Sequence, residues 1–499
     1  MANLSLNLRS GALWNYFQGG TRAVIQFASG IVLARLLDPA DFGVFFAVTA
    51  YTALLTAQVR FGIPMALLQA EEPTEEQWNS AFWFMEGIAI LALVLVAALA
   101  GTLAAFYEDS RYTYIMLLMA LAFPVQPFMA INGTLLRRRM DFKTVSIIQI
   151  QASLTSTAVS LITAFAGLGP YCFVAGGLTS VFLSAALMAR KAPWKPRLLF
   201  SYRGFRSLFD YAWKIHLNGT LDSLTHRVDN MILGKLLGLG ALGIYMRAFS
   251  LSRLPLDNLC SPIYQLAFSA FSRIQRNLDH SVRMYRKILC ATTTVVFPVL
   301  LAFIFLADGL IQFIYGEKWL PAALPLQIMA VGSFFTVISM MTATLTEAQN
   351  LVGRQTPIEV GNLLMTIAAV TLGAQWGLAG VAAGIAIKAV LVQFLILRLA
   401  KHSHIEIPLR AVFTAVLPAI TASLAAAITV QLTSPWLQRL LDSDPRRLDY
   451  IFTAGSLLLL VYGVTWFAFY RLRPDEAQEA SVQLMKDIAT RITSKRRKA

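Results

Sequence analysis

The segment Val32–Phe45 reads VLARLLDPADFGVF, and the segment Ile232–Tyr245, 200 positions later, reads ILGKLLGLGALGIY. Four positions are identical and five more carry conservative replacements. Each copy joins two long apolar runs, so the chain is predicted to contain a duplicated bundle of helices. Duplicated helical bundles are a common architecture of membrane transporters, in which two repeats surround a central site.

The composition indicates a membrane protein. Of the 499 residues, 57% are hydrophobic and only 14% are charged, and the mean hydropathy is +0.61. A soluble chain carries about a quarter charged residues. The apolar residues form blocks of roughly 20 residues, which is long enough to cross a bilayer and too long for barrel strands. We therefore predict an all-α integral membrane protein.

The apolar blocks predict fourteen transmembrane spans, near residues 10–36, 42–68, 80–105, 112–136, 145–167, 170–190, 208–235, 241–270, 285–307, 321–347, 358–376, 379–400, 409–431 and 450–470. The 200-residue repeat pairs span 1 with span 7 and span 2 with span 8. This order predicts an N-lobe over 1–200 and a C-lobe over 201–403, each of six helices. Two extra helices over 404–474 and a basic cytoplasmic tail over 475–499 complete the chain.

The net charge of +15 is distributed in a way that indicates membrane orientation. Lys and Arg concentrate in the loops and tails of one side, for example over 137–143, 190–206 and 273–287. Because basic loops stay in the cytoplasm, both termini are predicted to be cytoplasmic. The sequence has no basic groove interleaved with aromatic residues, so we do not expect nucleic-acid binding.

No sequence pattern indicates catalysis, a cofactor or a metal site. Cys172, Cys260 and Cys290 lie far apart and lack metal-ligand spacing. The loops are short and carry no compact cluster of His, Asp and Glu residues. We therefore predict neither an enzyme nor a cofactor, and leave open a proton or a sodium ion as a coupling ion.

Polar residues within the first two spans fall on narrow helix faces. In span 1, Asn15, Gln18, Arg22 and Gln26 share an arc of about 80° at 100° per residue. In span 2, Arg60 lies on a similarly narrow face with three threonines. A charged side chain near the bilayer centre costs roughly 2.5–3.5 kcal/mol on insertion scales, so we expect these faces to point away from lipid.

The repeat-related spans 7 and 8 carry polar faces as well. The broader face of span 7 holds Lys214, Asn218, Asp222, His226 and Asp229. The face of span 8 holds Arg247, Arg253 and Asn258. Apposed, the four faces would enclose a wet cavity rich in Arg and Lys, which suits an anion such as pyrophosphate. The alternative for each face is pairing with a neighbouring helix, and Asp222 and His226, one turn apart, can bond each other.

Four stretches resemble, in order, the motifs of polysaccharide-export flippases. They are LLRRRMDFK (135–143), GLGPY (167–171), RVDNMILGKLLG followed by LGIY (227–238 and 242–245), and YGEKWLPAA (315–323). Order and spacing agree over at least residues 10–400. The chain thus resembles the Wzx-type, polysaccharide-transporter branch of the multidrug/oligosaccharidyl-lipid/polysaccharide (MOP) superfamily.

The resemblance implies a V-shaped, multi-pass protein of the bacterial inner membrane. It implies that alternating access carries an undecaprenyl-pyrophosphate-linked oligosaccharide, a repeat unit of lipopolysaccharide or exopolysaccharide, from the cytoplasmic to the periplasmic leaflet. Related lipid II flippases bind the lipid tail near helices 13 and 14, and the two extra spans of this chain favour such lipid-linked cargo. Expected partners are membrane lipids, a polysaccharide polymerase and glycosyltransferases, and the protein is expected to be a monomer.

On this hypothesis the polar faces divide into three groups. The cations predicted to hold the pyrophosphate are Arg22, Arg60, Lys214, Arg247 and Arg253. The amides predicted to contact sugar or water are Asn15, Gln18, Gln26, Asn218 and Asn258. The residues predicted to balance charge or couple transport to an ion are Asp222, His226 and Asp229.

Two other functions predict different features. An ion-coupled antiporter for cationic drugs predicts acidic residues deep in the first lobe, where this chain has Arg22 and Arg60. A membrane-embedded glycan ligase or glycosyltransferase predicts a catalytic carboxylate or histidine on a sizeable periplasmic loop. The largest such loop, 431–449, offers Asp442 and Asp444 beside three arginines.

Overall fold

The computed structural model describes residues 2–192, 194–274, 277–349, 352–403, 407–441, 448–472 and 478–479. Throughout these ranges the regular structure is helical and includes no strand. The predicted all-α fold is therefore confirmed. The basic tail predicted over 475–499 lies outside the described residues, apart from 478–479.

The chain divides into two compact units, Met1–Gly243 and Ile244–Ala499. The helices that begin in the first unit are α1 (Ala2–Leu36), α2 (Pro39–Arg60), α3 (Ile63–Gln69), α4 (Glu75–Tyr107), α5 (Arg111–Ala120), α6 (Gln126–Arg138), α7 (Phe142–Phe165), α8 (Tyr171–Lys191), α9 (Tyr202–Thr225), α10 (Val228–Leu236) and α11 (Leu239–Pro255). Helix α11 crosses the boundary between the units. The lobe boundaries derived from the repeat stay a prediction.

The helices of the second unit continue without strands in the described residues. They are α12 (Ser261–Ile274), α13 (Leu278–Phe305), α14 (Ala307–Tyr315), α15 (Ala323–Ala348), α16 (Val352–Gly373), α17 (Gly377–His402), α18 (Leu409–Leu441) and α19 (Leu448–Leu472). A π-helical turn, Leu256–Cys260, joins α11 to α12 directly after Pro255. The proline lacks a backbone N–H and so favours such a local rearrangement.

Each of the fourteen predicted spans falls on one helix or on two consecutive helices. Within the described residues, ten regions are long and apolar enough by themselves to cross a membrane, and one of them, Pro357–His402, contains most of α16 and all of α17. The regions outside those ten include α1, α9 and the α11–α12 pair, which carry three of the four polar faces. The count of fourteen spans stays a prediction, while the multi-pass membrane fold is established.

Local sequence explains several helix ends. Asp38 and Pro39 start α2, and the hydroxyl of Thr74 accepts a hydrogen bond from the N–H of Gln77 at the start of α4. Gln77 returns the bond by accepting from the N–H of Thr74 at 2.9 Å, which completes a capping box. Gly316, with φ +100°, ends α14 in a conformation that side chains other than glycine rarely adopt.

In the first unit, α7 packs against α1 and α8, and α6 packs against α8. Helix α9 packs against α2, α3 and α4. Aromatic side chains fill the contact of α9 with these helices. Among them are Trp78, Phe82 and Phe205, all of them buried. Helices α1, α6, α7 and α8 border the cavity described below.

The two copies of the repeated segment pack against each other through a pair of equivalent glycines. A Cβ atom on Gly43 would overlap the backbone carbonyl of Leu239, and a Cβ atom on Gly243 would overlap the carbonyl of Pro39. Pro39 and Leu239 hold equivalent positions in the two copies, as Gly43 and Gly243 do. The contact is therefore reciprocal, and the absence of side chains at both glycines permits it.

In the second unit, α13 packs against α15 and α18, while α17 lies against both α15 and α16. Tyr285 and Thr342 are buried between α13 and α15, and their hydroxyl groups lie 2.9 Å apart. Pairing satisfies both groups inside an otherwise apolar core. Helix α19 packs against α18 and reaches α13 through Tyr462.

The glycine contact generates the first prediction. Gly43→Ala and Gly243→Ala should each lower the stability of the purified protein by about 1–3 kcal/mol, because the new methyl group forces backbone displacement in a packed interior. Thermal unfolding in detergent measures the effect. Gly240→Ala is the matched control, since a Cβ atom at Gly240 meets nothing within 4 Å. Equal melting temperatures for all three variants would contradict the reciprocal contact.

Candidate functional site

A cavity of about 560 Å³ lies within the first unit. Its walls come from α1, the adjoining ends of α2 and α3, α6, the first two turns of α7 and the last turns of α8. The volume falls in the range of small-ligand sites, about 300–1,000 Å³. The cavity thus has room for a compact polar group with part of an attached ligand.

Three arginines border this cavity: Arg22 on α1, Arg60 at the end of α2 and Arg137 at the end of α6. No acidic residue is among its lining residues in the described part of the chain. Arg60 donates a hydrogen bond from Nη2 to Oε1 of Gln126 at 3.3 Å. Arg22 and Arg137 form no hydrogen bond or ion pair within the described ranges. The cavity therefore presents uncompensated positive charge.

Neutral polar groups complete the lining. Gln18 lies one turn before Arg22 on α1, and Gln149 lies on α7. Ser180 and Ser184 are one turn apart on α8. Amide and hydroxyl groups both donate and accept hydrogen bonds, so this wall can bind hydroxyl-rich or phosphate-bearing groups.

A break between α2 and α3 positions Arg60. Phe61 and Gly62 both have positive φ angles, +44° and +68°. The Phe61 ring stacks on His216, with 4.1 Å between ring centroids, and also contacts Phe84 and Phe209. A positive φ at phenylalanine is unfavourable and persists only where the surroundings enforce it. The aromatic contacts supply that enforcement at the residue next to Arg60.

Arg138 positions Arg137. Its Nη1 atom donates to the carbonyl oxygens of Leu67 at 2.7 Å and Ala70 at 2.5 Å, and its Nη2 atom donates to that of Glu71 at 2.6 Å. These carbonyls lie at and beyond the end of α3, where helix carbonyl groups lack helical partners. The neighbouring arginines thus differ in role, because Arg138 ties α6 to α3 and Arg137 borders the cavity.

A family model described as "Polysaccharide biosynthesis protein" matches residues 32–324, which is more than half of the chain. The chain belongs to this family. Teichuronic acid biosynthesis protein TuaB of Bacillus subtilis (strain 168) is 23% identical over 343 residues, 68% of this chain and 70% of that protein. Lipopolysaccharide biosynthesis protein WzxC of Escherichia coli (strain K12) is 22% identical over 379 residues, 75% and 77% of the two chains.

Solved structures place this polysaccharide biosynthesis protein in the MOP fold. The lipid II flippase MurJ, in an inward closed conformation, matches with a TM-score of 0.74 at 15% identity, over 92% of this chain and 98% of that one. An inward-facing multidrug resistance MATE family transporter of the MOP superfamily matches with a TM-score of 0.61 at 15% identity, over 77% and 96%. The family and fold inferred from the motifs are confirmed, and the two solved structures that share the fold are a flippase and a transporter.

The structure brings together three of the predicted site residues of this family member, Gln18, Arg22 and Arg60. Gln26 continues the same face of α1 but does not line the cavity. The side chain of Asn15 lies outside the described residues. The assignment of these residues to a substrate stays a prediction.

On α9 and α10, the predicted residues have varied surroundings. Lys214 is exposed, and the side chain of Asn218 lies outside the described residues. His226 Nδ1 lies 3.4 Å from Oδ1 of Asp222, so these two residues pair within one turn. Asp229 is buried, and its Oδ1 accepts a hydrogen bond from the N–H of Asn230 at 2.8 Å. None of the described residues in this group lines the arginine cavity.

The predicted residues of the second unit contact protein groups. The Arg247 guanidinium lies 5.2 Å from the ring centroid of Tyr315 and 5.7 Å from that of Trp319, within cation–π distance. Arg253 forms an ion pair with Asp257 at 3.1 Å, one turn along the chain. The side-chain amide of Asn258 donates to the carbonyl of Leu254 at 2.9 Å. Only the contact of Arg247 is of the helix-pairing kind that the sequence left open as an alternative, because Arg253 and Asn258 contact groups one turn away on their own helical segment.

Arg137, Gln126 and Gln149 were missed by the sequence analysis. Arg137 belongs to a run of three arginines that sequence reasoning assigned to a cytoplasmic loop. The signal available was helical spacing, because Gln126, Ala130 and Arg137 follow one face of α6 at intervals of four and seven residues. A face criterion extended to the ends of the spans would have included Arg137.

The contrast between the two neighbouring arginines gives a second prediction. Arg138→Ala should lower stability by about 1.5–3 kcal/mol or more, because several carbonyl groups lose a charged hydrogen-bond donor. Arg138→Lys should not restore it, since an ammonium group lacks the planar fork. Arg137→Ala should leave the melting temperature nearly unchanged. Thermal unfolding of the three purified variants checks this, and a larger loss for Arg137→Ala than for Arg138→Ala would contradict it.

Proposed function

We propose that this protein is a flippase for a lipid-linked saccharide and that Arg22, Arg60 and Arg137 bind the pyrophosphate of the lipid carrier. The cargo class is an undecaprenyl-pyrophosphate-linked oligosaccharide. Membership of the polysaccharide biosynthesis family and the fold shared with a lipid II flippase support the class of cargo. The observation that carries the proposal is the cavity with three guanidinium groups and no carboxylate among its described lining residues.

The chemistry of the cavity fits a pyrophosphate ester better than a neutral or cationic ligand. Guanidinium groups bind phosphate oxygens through paired, charge-assisted hydrogen bonds, and a low-dielectric surrounding strengthens the attraction. Three like charges repel one another, so an anion that contacts all three relieves their repulsion. A cationic drug would add to it, which makes the drug-antiporter alternative the less supported one.

The position of the cavity suggests where the cargo enters. It adjoins the ends of α2 and α6, the start of α7 and the end of α8. These ends flank the basic segments 137–143 and 190–206, which the charge distribution predicts to be cytoplasmic. On this orientation, with both termini in the cytoplasm of a bacterial inner membrane, the pyrophosphate binds from the cytoplasmic leaflet. Gln18, Gln126 and Gln149 then contact the phosphate esters or the first sugar.

Translocation by alternating access completes the proposal. Lys214, exposed on α9, stays a candidate for the path of the charged group, and the Asp222–His226 pair stays a candidate for coupling to a proton or a sodium ion. We assign Arg247 to helix pairing, because its neighbours are the rings of Tyr315 and Trp319, and Arg253 to an ion pair with Asp257 one turn along the same helical segment. A polysaccharide polymerase and glycosyltransferases remain the expected partners of a monomeric transporter.

Glycan export in cells tests the proposal. A strain lacking this protein is complemented with Arg22→Ala, Arg60→Ala or Arg137→Ala, and surface polysaccharide is measured at matched membrane levels. Each variant should reduce export roughly ten- to a hundredfold if one charge-assisted contact to the phosphate is lost.

Arg139→Ala is the matched control, because Arg139 belongs to the same basic run, is exposed and does not line the cavity. Its export should equal that of the unaltered protein. Full export by all three cavity variants would refute the pyrophosphate site. Equal losses in Arg139→Ala and Arg137→Ala would contradict the role of Arg137 in the cavity, because the loss would then belong to the basic run as a whole.

A further inference from the structure

A pocket in the second unit lies where three helices end. It is bordered by the first turns of α13 and α18 and by Lys401 in the last turn of α17, and its volume is about 600 Å³. These helices belong to regions that are each long and apolar enough to cross a membrane. Because the ends of three such regions meet here, the pocket lies at a membrane–water interface.

Positive charge predominates on this pocket. Arg283, Arg286 and Lys401 border it, together with a single carboxylate, that of Asp279. Arg283 and Lys401 are exposed and form no hydrogen bond or ion pair within the described ranges. Arg283 and Arg286 lie on one face of α13, three residues apart, and Lys401 comes from a helix more than 100 residues later. The fold thus brings cations from distant segments to one pocket.

The remaining walls are apolar. They are formed by Leu278, Val282, Pro408 and Ala411. A soluble anion would contact the cations and leave these carbon atoms against water. A ligand with a phosphate next to hydrocarbon would satisfy both kinds of wall. At the head-group level of a bilayer, anionic phospholipid has this combination, and basic pockets between membrane helices are typical sites for it.

We propose that this pocket binds the head group of an anionic phospholipid. The phosphate contacts Arg283 and Lys401, and the glycerol and first acyl carbons lie against Leu278, Val282 and Pro408. One head group then bridges the start of α13 to the end of α17. The site is separate from the arginine cavity, all of whose lining residues belong to the first unit.

Native mass spectrometry of the full-length protein, released from detergent, tests the proposal with phosphatidylglycerol and phosphatidylcholine as probes. The unaltered protein should retain phosphatidylglycerol in preference to phosphatidylcholine. The double variant Arg283→Gln/Lys401→Gln should weaken phosphatidylglycerol binding roughly ten- to thirtyfold. The reason is that each Lys or Arg near an anionic lipid contributes roughly three- to fivefold to the binding constant, and the variant loses two of them. Both side chains are exposed, so the fold should survive their replacement.

The control is Arg273→Gln/Lys195→Gln, which removes the same charges from exposed positions that do not line the pocket. It should bind phosphatidylglycerol like the unaltered protein. Equal losses in both double variants, or no loss in the pocket variant, would overturn the proposal. A third arm adds glycerol phosphate, which should not displace the lipid at equal concentration. Displacement by this soluble phosphate would overturn the assignment to a lipid.

Discussion

A guanidinium group inside a membrane protein needs water or an anion, because transfer of an isolated charge into hydrocarbon is costly. In the first unit, Arg22, Arg60 and Arg137 border one cavity whose described lining includes no carboxylate. Protein groups neutralise none of the three charges, since Arg60 contacts only a neutral amide there. This excess of positive charge favours an anionic ligand over one that brings positive charge of its own.

The surrounding structure fixes the positions of these cations by close packing and hydrogen bonding. Gly43 and Gly243 allow the two copies of the repeat to approach to backbone contact near the start of α2. At the other end of α2, Phe61 and Gly62 turn the chain immediately after Arg60, and stacking on His216 enforces the turn. Arg138 binds the carbonyl groups beyond α3 and so fixes the end of α6 that carries Arg137. Arg60 and Arg137 thus each sit beside a rigid backbone element.

The sequence was sufficient to predict the helical membrane fold, because long apolar blocks and a repeat are properties of the chain itself. The structure in turn explains two residues of the motif at 315–323. Gly316 has φ +100°, and Trp319 is fully buried. Helical periodicity correctly put Gln18 and Arg22 on one face, and the structure places both on the cavity with Arg60.

Helical periodicity shows which residues share a face of a helix, but not which groups that face contacts. This limit explains why the sequence misplaced the remaining site residues. Arg247 lies over the rings of Tyr315 and Trp319, about 70 positions along the chain, which helical spacing alone does not reveal. Arg253 pairs with Asp257 one turn away, a contact that the i, i+4 rule does allow from sequence. Arg137 borders the cavity because α6 extends past the apolar block, and the end of that helix depends on the contacts of Arg138.

The most direct test of the central claim is the binding of undecaprenyl pyrophosphate and of undecaprenol, which differ only in the charged group, to the purified protein. The unaltered protein should bind the pyrophosphate at least about tenfold more tightly than the alcohol, because charge-assisted contacts form with one and not the other. A variant with Arg22, Arg60 and Arg137 all changed to Gln should bind the two lipids alike. Equal binding of both lipids by the unaltered protein, or an undiminished preference in the variant, would contradict the account.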